Sequence, residues 1–238
     1  MVLHFFFRSQ AHSRAVACGS ALFLHADNLT VERGARPVIS ALSFTAKAGE
    51  ALLLVGPNGA GKTTLIRTLA GFIRPSSGAV ALKGDSGDRD VAQCCHYVGH
   101  LTGVKANLTV TQNLAFWGAY LAEDASGRDR LASRVEDALE TFGLSRLSDF
   151  PAGLLSAGQK RRLGLARLCV ATRPIWLLDE PTVSLDTAST ELLSRLIKTH
   201  LSGGGIVVAA THLPLGLDEP TVLRLGANPA SPGPEARA

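Results

Sequence analysis

Hydrophobic positions along the chain follow two rhythms, one of period two and one near 3.6. Residues 23–31 and 38–46 carry strand-like patterning, and Gly34 and Pro37 mark a turn between them. The run 50–55 is short and apolar, reading Ala51-Leu52-Leu53-Leu54-Val55 after Glu50, which predicts a buried strand. Apolar residues then fall at helical spacing at Leu65, Ile66, Leu69 and Phe72. A glycine-rich stretch therefore lies between a strand and a helix.

A short strand is predicted at 79–83. Beyond it the middle of the chain reads as helical, with periodic runs at 109–121 and 128–142 and a third helix at 156–170. Strand character returns at 175–178 and a helix follows at 187–201, ended by Gly203-Gly204-Gly205. Residues 206–210 read as another buried strand and 222–225 as an edge strand. Strands alternating with helices imply a parallel sheet of the α/β class, with the helical block of about 95–170 inserted in it.

The chain has 238 residues, which suits one domain with an inserted subdomain. Hydrophobic residues make up 46% and aromatics only 5%, so Leu, Val and Ala must fill the core. The net charge is +4, and no basic block stands out beyond Lys160-Arg161-Arg162, which argues against a nucleic-acid partner. Cys18, Cys94, Cys95 and Cys169 form no CxxC pair and no zinc pattern, consistent with a reducing compartment. No apolar run approaches the length of about 18 residues that spans a bilayer. Residues 1–21 hold Arg8, Arg14 and the early apolar patch Phe5-Phe6-Phe7, which is not the order of a signal peptide. They are expected to be a disordered leader. The Pro- and Ala-rich residues 227–238 are expected to be a disordered tail.

Three patterns carry chemistry. Gly56-Pro57-Asn58-Gly59-Ala60-Gly61-Lys62-Thr63, followed by Thr64, matches G-x-x-x-x-G-K-[ST]. Glycines let backbone N–H groups turn toward phosphate oxygens, and the following helix presents its positive end. Lys62 is placed to reach the β- and γ-phosphates, and the Thr63 hydroxyl suits Mg²⁺, a hard ion that prefers oxygen. The second pattern is Ile175-Trp176-Leu177-Leu178-Asp179-Glu180, an apolar strand delivering two carboxylates to the edge where ligands bind in such folds. Asp179 suits Mg²⁺, and Glu180 suits a general base that polarises the attacking water. The third is Leu155-Ser156-Ala157-Gly158-Gln159 before a helix, where Ser156 is a good N-cap.

In order and spacing these patterns resemble the ABC ATPase family. Its fold is a P-loop NTPase with a mainly parallel sheet core, an N-terminal antiparallel β subdomain and an inserted α-helical subdomain, here covering residues 22–226. The resemblance implies ATP and Mg²⁺ as cofactors and a homodimer of ATPase subunits. Ser156, Ala157, Gly158 and Gln159 stand at its signature motif, which closes over ATP held by the P-loop of the opposite subunit. Ser184, Leu185 and Asp186 stand at its D-loop, and His212 at its switch histidine beside Glu180. A second positive helix end neutralises γ-phosphate charge only while ATP is intact, so ATP would hold the dimer and hydrolysis release it.

Two positions depart from the family pattern. Where many members stack an aromatic ring on adenine, this chain has Thr30-Val31-Glu32-Arg33-Gly34-Ala35-Arg36, and the matching place is near Arg33. A guanidinium can stack on a base as well. Where most members carry a Gln that senses Mg²⁺, this chain has His100. Imidazole is a poor Mg²⁺ ligand, so His100 reads as a hydrogen-bond partner of water or phosphate.

The stretch Gly99-His100-Leu101-Thr102-Gly103-Val104-Lys105, with Leu108-Thr109 and Gln112-Asn113-Leu114-Ala115-Phe116, resembles one branch in particular. That branch is the ATPase subunit of the bacterial cytochrome c maturation system. Leu155-Ser156-Ala157-Gly158-Gln159-Lys160-Arg161-Arg162 with Ala166-Arg167-Leu168 resembles it too, as does Ala210-Thr211-His212-Leu213-Pro214-Leu215. The likeness implies integral membrane permease subunits as partners and a place at the cytoplasmic face of the bacterial inner membrane. It also implies a role in powering haem export or the release of a haem chaperone. Another ABC exporter is the alternative reading, which the Gly99-His100 region disfavours. A soluble ABC protein acting on nucleic acid or cluster assembly is a further one; a single cassette with no basic extension disfavours it. His96 and His100 do not read as a haem site, because the nucleotide site accounts for His100.

Overall fold

Alternation along the strands decides the layering of the molecule. The computed structural model describes residues 22–34, 36–84, 87–121, 130–212 and 215–226. The leader expected at 1–21 and the tail expected at 227–238 lie outside the described residues. In chain order the elements are β1 (Phe23–Arg33), β2 (Arg36–Lys47), β3 (Ala51–Val55), α1 (Lys62–Leu69), β4 (Ser77–Lys83), α2 (Val91–Cys94) and β5 (Cys95–Val98). Then follow α3 (Val110–Leu121), α4 (Leu131–Thr141), α5 (Ala157–Val170), β6 (Ile175–Asp179), α6 (Thr187–Ser202), β7 (Ile206–Ala210) and β8 (Thr221–Arg224).

Strands β2, β1 and β4 form a three-stranded sheet in that order, with both pairings antiparallel. The other five form a second sheet, ordered β5-β6-β7-β3-β8, and every pairing in it is parallel. Strands β6 and β7 are buried at every position, as a parallel sheet covered on both faces requires. Their side chains alternate between two cores. Ile175, Leu177, Ile206 and Val208 face α1 and the antiparallel sheet, meeting Leu65, Ile66 and Leu24. Trp176, Leu178, Val207 and Ala209 face the helices, meeting Leu114, Leu165 and Ile197. The result is a parallel sheet sandwiched between two layers, each closing one hydrophobic core. Truncating a fully buried residue such as Leu177 to Ala would cost about 2–5 kcal/mol.

Apart from the short helix α2, where no element is expected from the sequence, the elements match the sequence reading except in two places. The helical block expected from about residue 95 begins later, because 95–98 is β5, which pairs with β6 at the edge of the parallel sheet. The strand is four residues long and includes His96 and Tyr97, so its apolar pattern is weak. His96 is nonetheless buried, and its Nε2 donates to the Ala171 carbonyl at 2.8 Å. Phe72, expected on the apolar face of α1, lies past the end of that helix. Gly71 takes φ 78, a conformation that terminates helices, and the Phe72 ring is 64% exposed beside Tyr97.

Candidate nucleotide site

Four parallel strands end at one edge of the sheet, and each delivers part of the site there. Strand β3 runs into residues 56–64, β5 into Gly99 and His100, β6 ends on Asp179 before Glu180, and β7 leads to Thr211 and His212.

The loop after β3 needs its glycines. Gly56 takes φ 150, and a Cβ there would stand 2.4 Å from the Leu225 carbonyl oxygen. Gly61, with φ 100, is the N-cap of α1 and supplies no side-chain hydrogen bond. The first turn of α1 contains no acid. The first N–H groups of that helix are thus left for an external acceptor, and the dipole favours an anion. Pro57, Asn58 and Gly59 are exposed, and the Ala60 N–H closes a turn onto the Pro57 carbonyl at 3.1 Å. Lys62 is mostly buried and its Nζ donates to the carbonyls of Gly56 (2.7 Å) and Pro57 (3.1 Å). Thr64 points into the core, whereas Thr63 is exposed.

The Thr63 hydroxyl donates to Asp179 Oδ1 at 3.0 Å, joining the loop to the end of β6. Asp179 is 3% exposed. Burial pushes its carboxyl up, and the Thr63 hydrogen bond and the fields of His100, Arg67 and Arg161 oppose that. Two hard oxygen donors at this separation fit Mg²⁺, with phosphate and water completing the shell. Among the described residues no cluster of three His, Cys, Asp or Glu side chains is placed to hold a metal.

Glu180 sits in the left-handed region at φ 49, which is strained for a residue with a side chain. Its N–H donates to the Ala210 carbonyl at 2.8 Å, which ties the turn to β7. Its carboxylate Oε1 lies 3.4 Å from His212 Nε2, and both side chains reach solvent. The base and switch positions expected from the sequence are thus neighbours. His100 is exposed at the same edge.

The signature residues form a separate, self-contained end. Ser156 caps α5: its hydroxyl accepts from the Gln159 N–H at 3.2 Å, and Gln159 Oε1 accepts from the Ser156 N–H at 2.8 Å. Ser156 and Ala157 are exposed. Ser156 and Gln159 bond each other rather than the P-loop. Gly158 abuts the turn before α6 of its own chain, where a Cβ would stand 3.4 Å from the Ser184 carbonyl oxygen. Ser184 has φ 65, Leu185 donates to the Thr182 carbonyl, and Asp186 caps α6 by accepting from the Ser189 N–H at 2.8 Å.

Spacing alone assigns Arg161 no role beyond its place in the basic run Lys160-Arg161-Arg162. The structure sends the three apart: Lys160 Nζ donates to the Gly153 carbonyl, Arg162 to the Phe142 carbonyl, and Arg161 turns inward and is 4% exposed. No pattern in the sequence marks it, because α5 is buried at eight of the ten positions from 161 to 170 and has no single apolar face.

A strand–loop–helix phosphate cradle whose Thr meets a strand-end Asp, beside a second acid and a histidine, defines a P-loop nucleotide-hydrolysing protein. Residues 39–183 match the ABC transporter family. The cytochrome c biogenesis ATP-binding export protein CcmA of Chelativorans sp. (strain BNC1) is 48% identical over 206 residues, covering 86% of this chain and 98% of the relative. The protein of the same name from Rhodopseudomonas palustris (strain BisB5) is 46% identical over 82% of this chain and 94% of its own. A solved structure of an ATP-binding subunit of an ABC transporter superposes with a TM-score of 0.70 at 26% identity, covering 80% of each chain. CbiO1 from Clostridium perfringens, part of the ABC transporter complex cbiONQ, gives a TM-score of 0.64 at 27% identity over 80% of this chain and 78% of its own. The chain belongs to the ABC transporter family of ATP-binding subunits, and within it to the CcmA cytochrome c biogenesis ATP-binding export proteins.

Proposed function

We propose that this chain is the ATP-hydrolysing motor of a membrane complex serving cytochrome c biogenesis, and that it works as a head-to-tail homodimer. One observation carries the reading: the Thr63–Asp179 and Glu180–His212 contacts gather phosphate, metal and water chemistry at a single sheet edge. The backbone of Gly56 to Thr64 cradles the phosphates. Lys62 exchanges its carbonyl partners for β- and γ-phosphate oxygens. Thr63 and Asp179 hold Mg²⁺, which supplies charge neutralisation on the phosphates when bound. Glu180 takes the proton of the attacking water, and His212 holds that water and the γ-phosphate in line. His100 hydrogen-bonds water or phosphate.

Ser156, Ala157, Gly158 and Gln159 of the opposite subunit complete each site, with Ser184, Leu185 and Asp186 lining the same junction. The open end of α1 and the exposed, preformed end of α5 support this division. Among the described residues no helix is long and apolar enough to cross a membrane, so the transported substrate needs integral permease subunits. Their docking face is residues 97–122 beside His100. Leu101 is 84% exposed there, with Phe116 and Tyr120 also exposed, which is unusual for large apolar side chains without a partner. The complex then sits at the cytoplasmic face of the bacterial inner membrane and powers haem export or release of a haem chaperone.

Deleting the gene should abolish haem staining of c-type cytochromes, and Glu180→Gln should fail to restore it. Normal staining in the deletion strain would refute the biogenesis role. A tagged chain drawn from detergent-solubilised membranes should bring integral membrane proteins with it.

A further inference from the structure

Arg161 makes an unusual set of contacts. The side chain leaves α5 and donates to four main-chain carbonyls: Nη1 to Gly99 (2.8 Å), Nε to Pro181 (3.2 Å), and Nη2 to Glu180 (2.5 Å) and Asp179 (3.5 Å). Three of these carbonyls belong to the turn that presents the two acids. The fourth precedes His100. A rigid planar fork with five donors suits such a task, and an ammonium does not. Burial opposes the guanidinium charge, and Asp179 and Glu180 favour it, so the carboxylates at the turn retain the cation that grips their backbone.

The turn needs gripping. Glu180 holds φ 49, a conformation that persists only where surrounding contacts over-determine it. Its N–H is fixed by the Ala210 carbonyl and its own carbonyl by Arg161. Between them these two bonds clamp both peptide groups that flank the strained Cα, and so aim the carboxylate toward His212.

We propose that Arg161 is the positioning residue of the hydrolytic turn, holding Glu180 in its strained conformation and tying that turn to the loop carrying His100. Through α5 it also links both to the signature residues that begin the same helix. Movement of the loop at Gly99, or of α5, is thereby transmitted to the backbone of the acid. The inference rests on Glu180 being the general base.

The test compares Arg161→Gln and Arg161→Lys with the unaltered full chain, measuring ATP affinity, turnover at saturating ATP and melting temperature. A misplacement of about 1 Å at the reacting centre costs about 100-fold in rate. Arg161→Gln should therefore lose about that factor in kcat, while ATP affinity stays within about 2-fold, because Lys62 and the P-loop are untouched. Arg161→Lys keeps the cation and the fold but has only one nitrogen for four carbonyls, so it should show the same split even if Arg161→Gln folds poorly. In a Glu180→Gln background the same changes should add little further loss, since the two residues act as one unit. If both Arg161 variants turn over ATP within about 2-fold of the unaltered chain, or if affinity falls in step with kcat, Arg161 is a structural residue and the inference is wrong. If Glu180→Gln itself leaves turnover intact, the fault lies with the assignment of the base.

Discussion

Two helices of this molecule begin in opposite ways. Helix α1 starts on a glycine that supplies no side-chain cap, with no acid in its first turn. Helix α5 starts on Ser156 with a complete capping box. The first leaves N–H groups and a positive dipole end without an internal partner, which is stable only if something anionic completes it. The second has its N3 N–H satisfied by Ser156, so its exposed end is held in shape before any partner arrives, while its first N–H groups stay available to an anion. In the proposed dimer the first end receives phosphate within its own chain, and the second is presented to the nucleotide of the other chain.

Substitutions at the two ends should therefore have separable effects. The largest loss belongs to neither end but to the acid they serve. Glu180→Gln should slow turnover by about 10²–10⁴-fold, the usual share of a general base, with ATP binding retained and ATP-bound dimers accumulating on a sizing column. Lys62→Ala, at the α1 end, should weaken nucleotide binding by about 1.5–3 kcal/mol, the worth of a charge-assisted hydrogen bond, with little change in melting temperature. Unchanged ATP affinity would remove α1 from the phosphate site.

The far end of α5 gives a pH test. Its C-cap, Ala171, accepts from His96, whose pKa burial pushes down to about 3, and burial holds the nearby His200 down to about 4. Both imidazoles stay neutral in the fold, while the unfolded chain takes up a proton below about 6.5. Stability is therefore full above pH 6.5 and declines as the pH falls toward the folded values. Each histidine should remove about 2 kcal/mol between pH 7.5 and 5. His96→Gln, which keeps an N–H for Ala171, should flatten the fall in melting temperature over that range, and an unaltered slope would contradict the assignment.

The smallest effect belongs to the α5 cap. Ser156→Ala should cost about 1 kcal/mol of stability and leave the ATP affinity of the isolated chain unchanged. Loss of ATP binding by that isolated variant would mean that α5 closes over its own nucleotide, and the comparison of the two helix ends would fail.

Residues that act through spacing were legible in the sequence, and residues that act through packing were not. Gly56 to Thr64 and Asp179-Glu180 could be placed because a strand pattern precedes each, and parallel strands end at one edge. His212, after β7, was marked by the family resemblance, since a lone histidine at a strand end carries no role by itself. Strand β5 was missed because edge strands need few apolar residues, and its second residue is a histidine that only tertiary contact buries. Arg161 was missed because α5 is buried at most positions from 161 to 170, so no apolar face separates it from Lys160 and Arg162. The strain at Glu180 has no sequence signal, since any residue with a side chain avoids that conformation until its neighbours impose it.

The claim that each reaction centre is shared between two chains is tested most directly by mixing two inactive proteins, Lys62→Ala and Ser156→Arg. In a mixed dimer one centre collects both defects and the other collects neither. Random association of symmetric dimers should thus restore about a quarter of the wild-type centres, and ATPase activity should rise well above the sum of the separate proteins. Activity that stays at that sum, in mixtures shown to contain mixed dimers, would contradict the account.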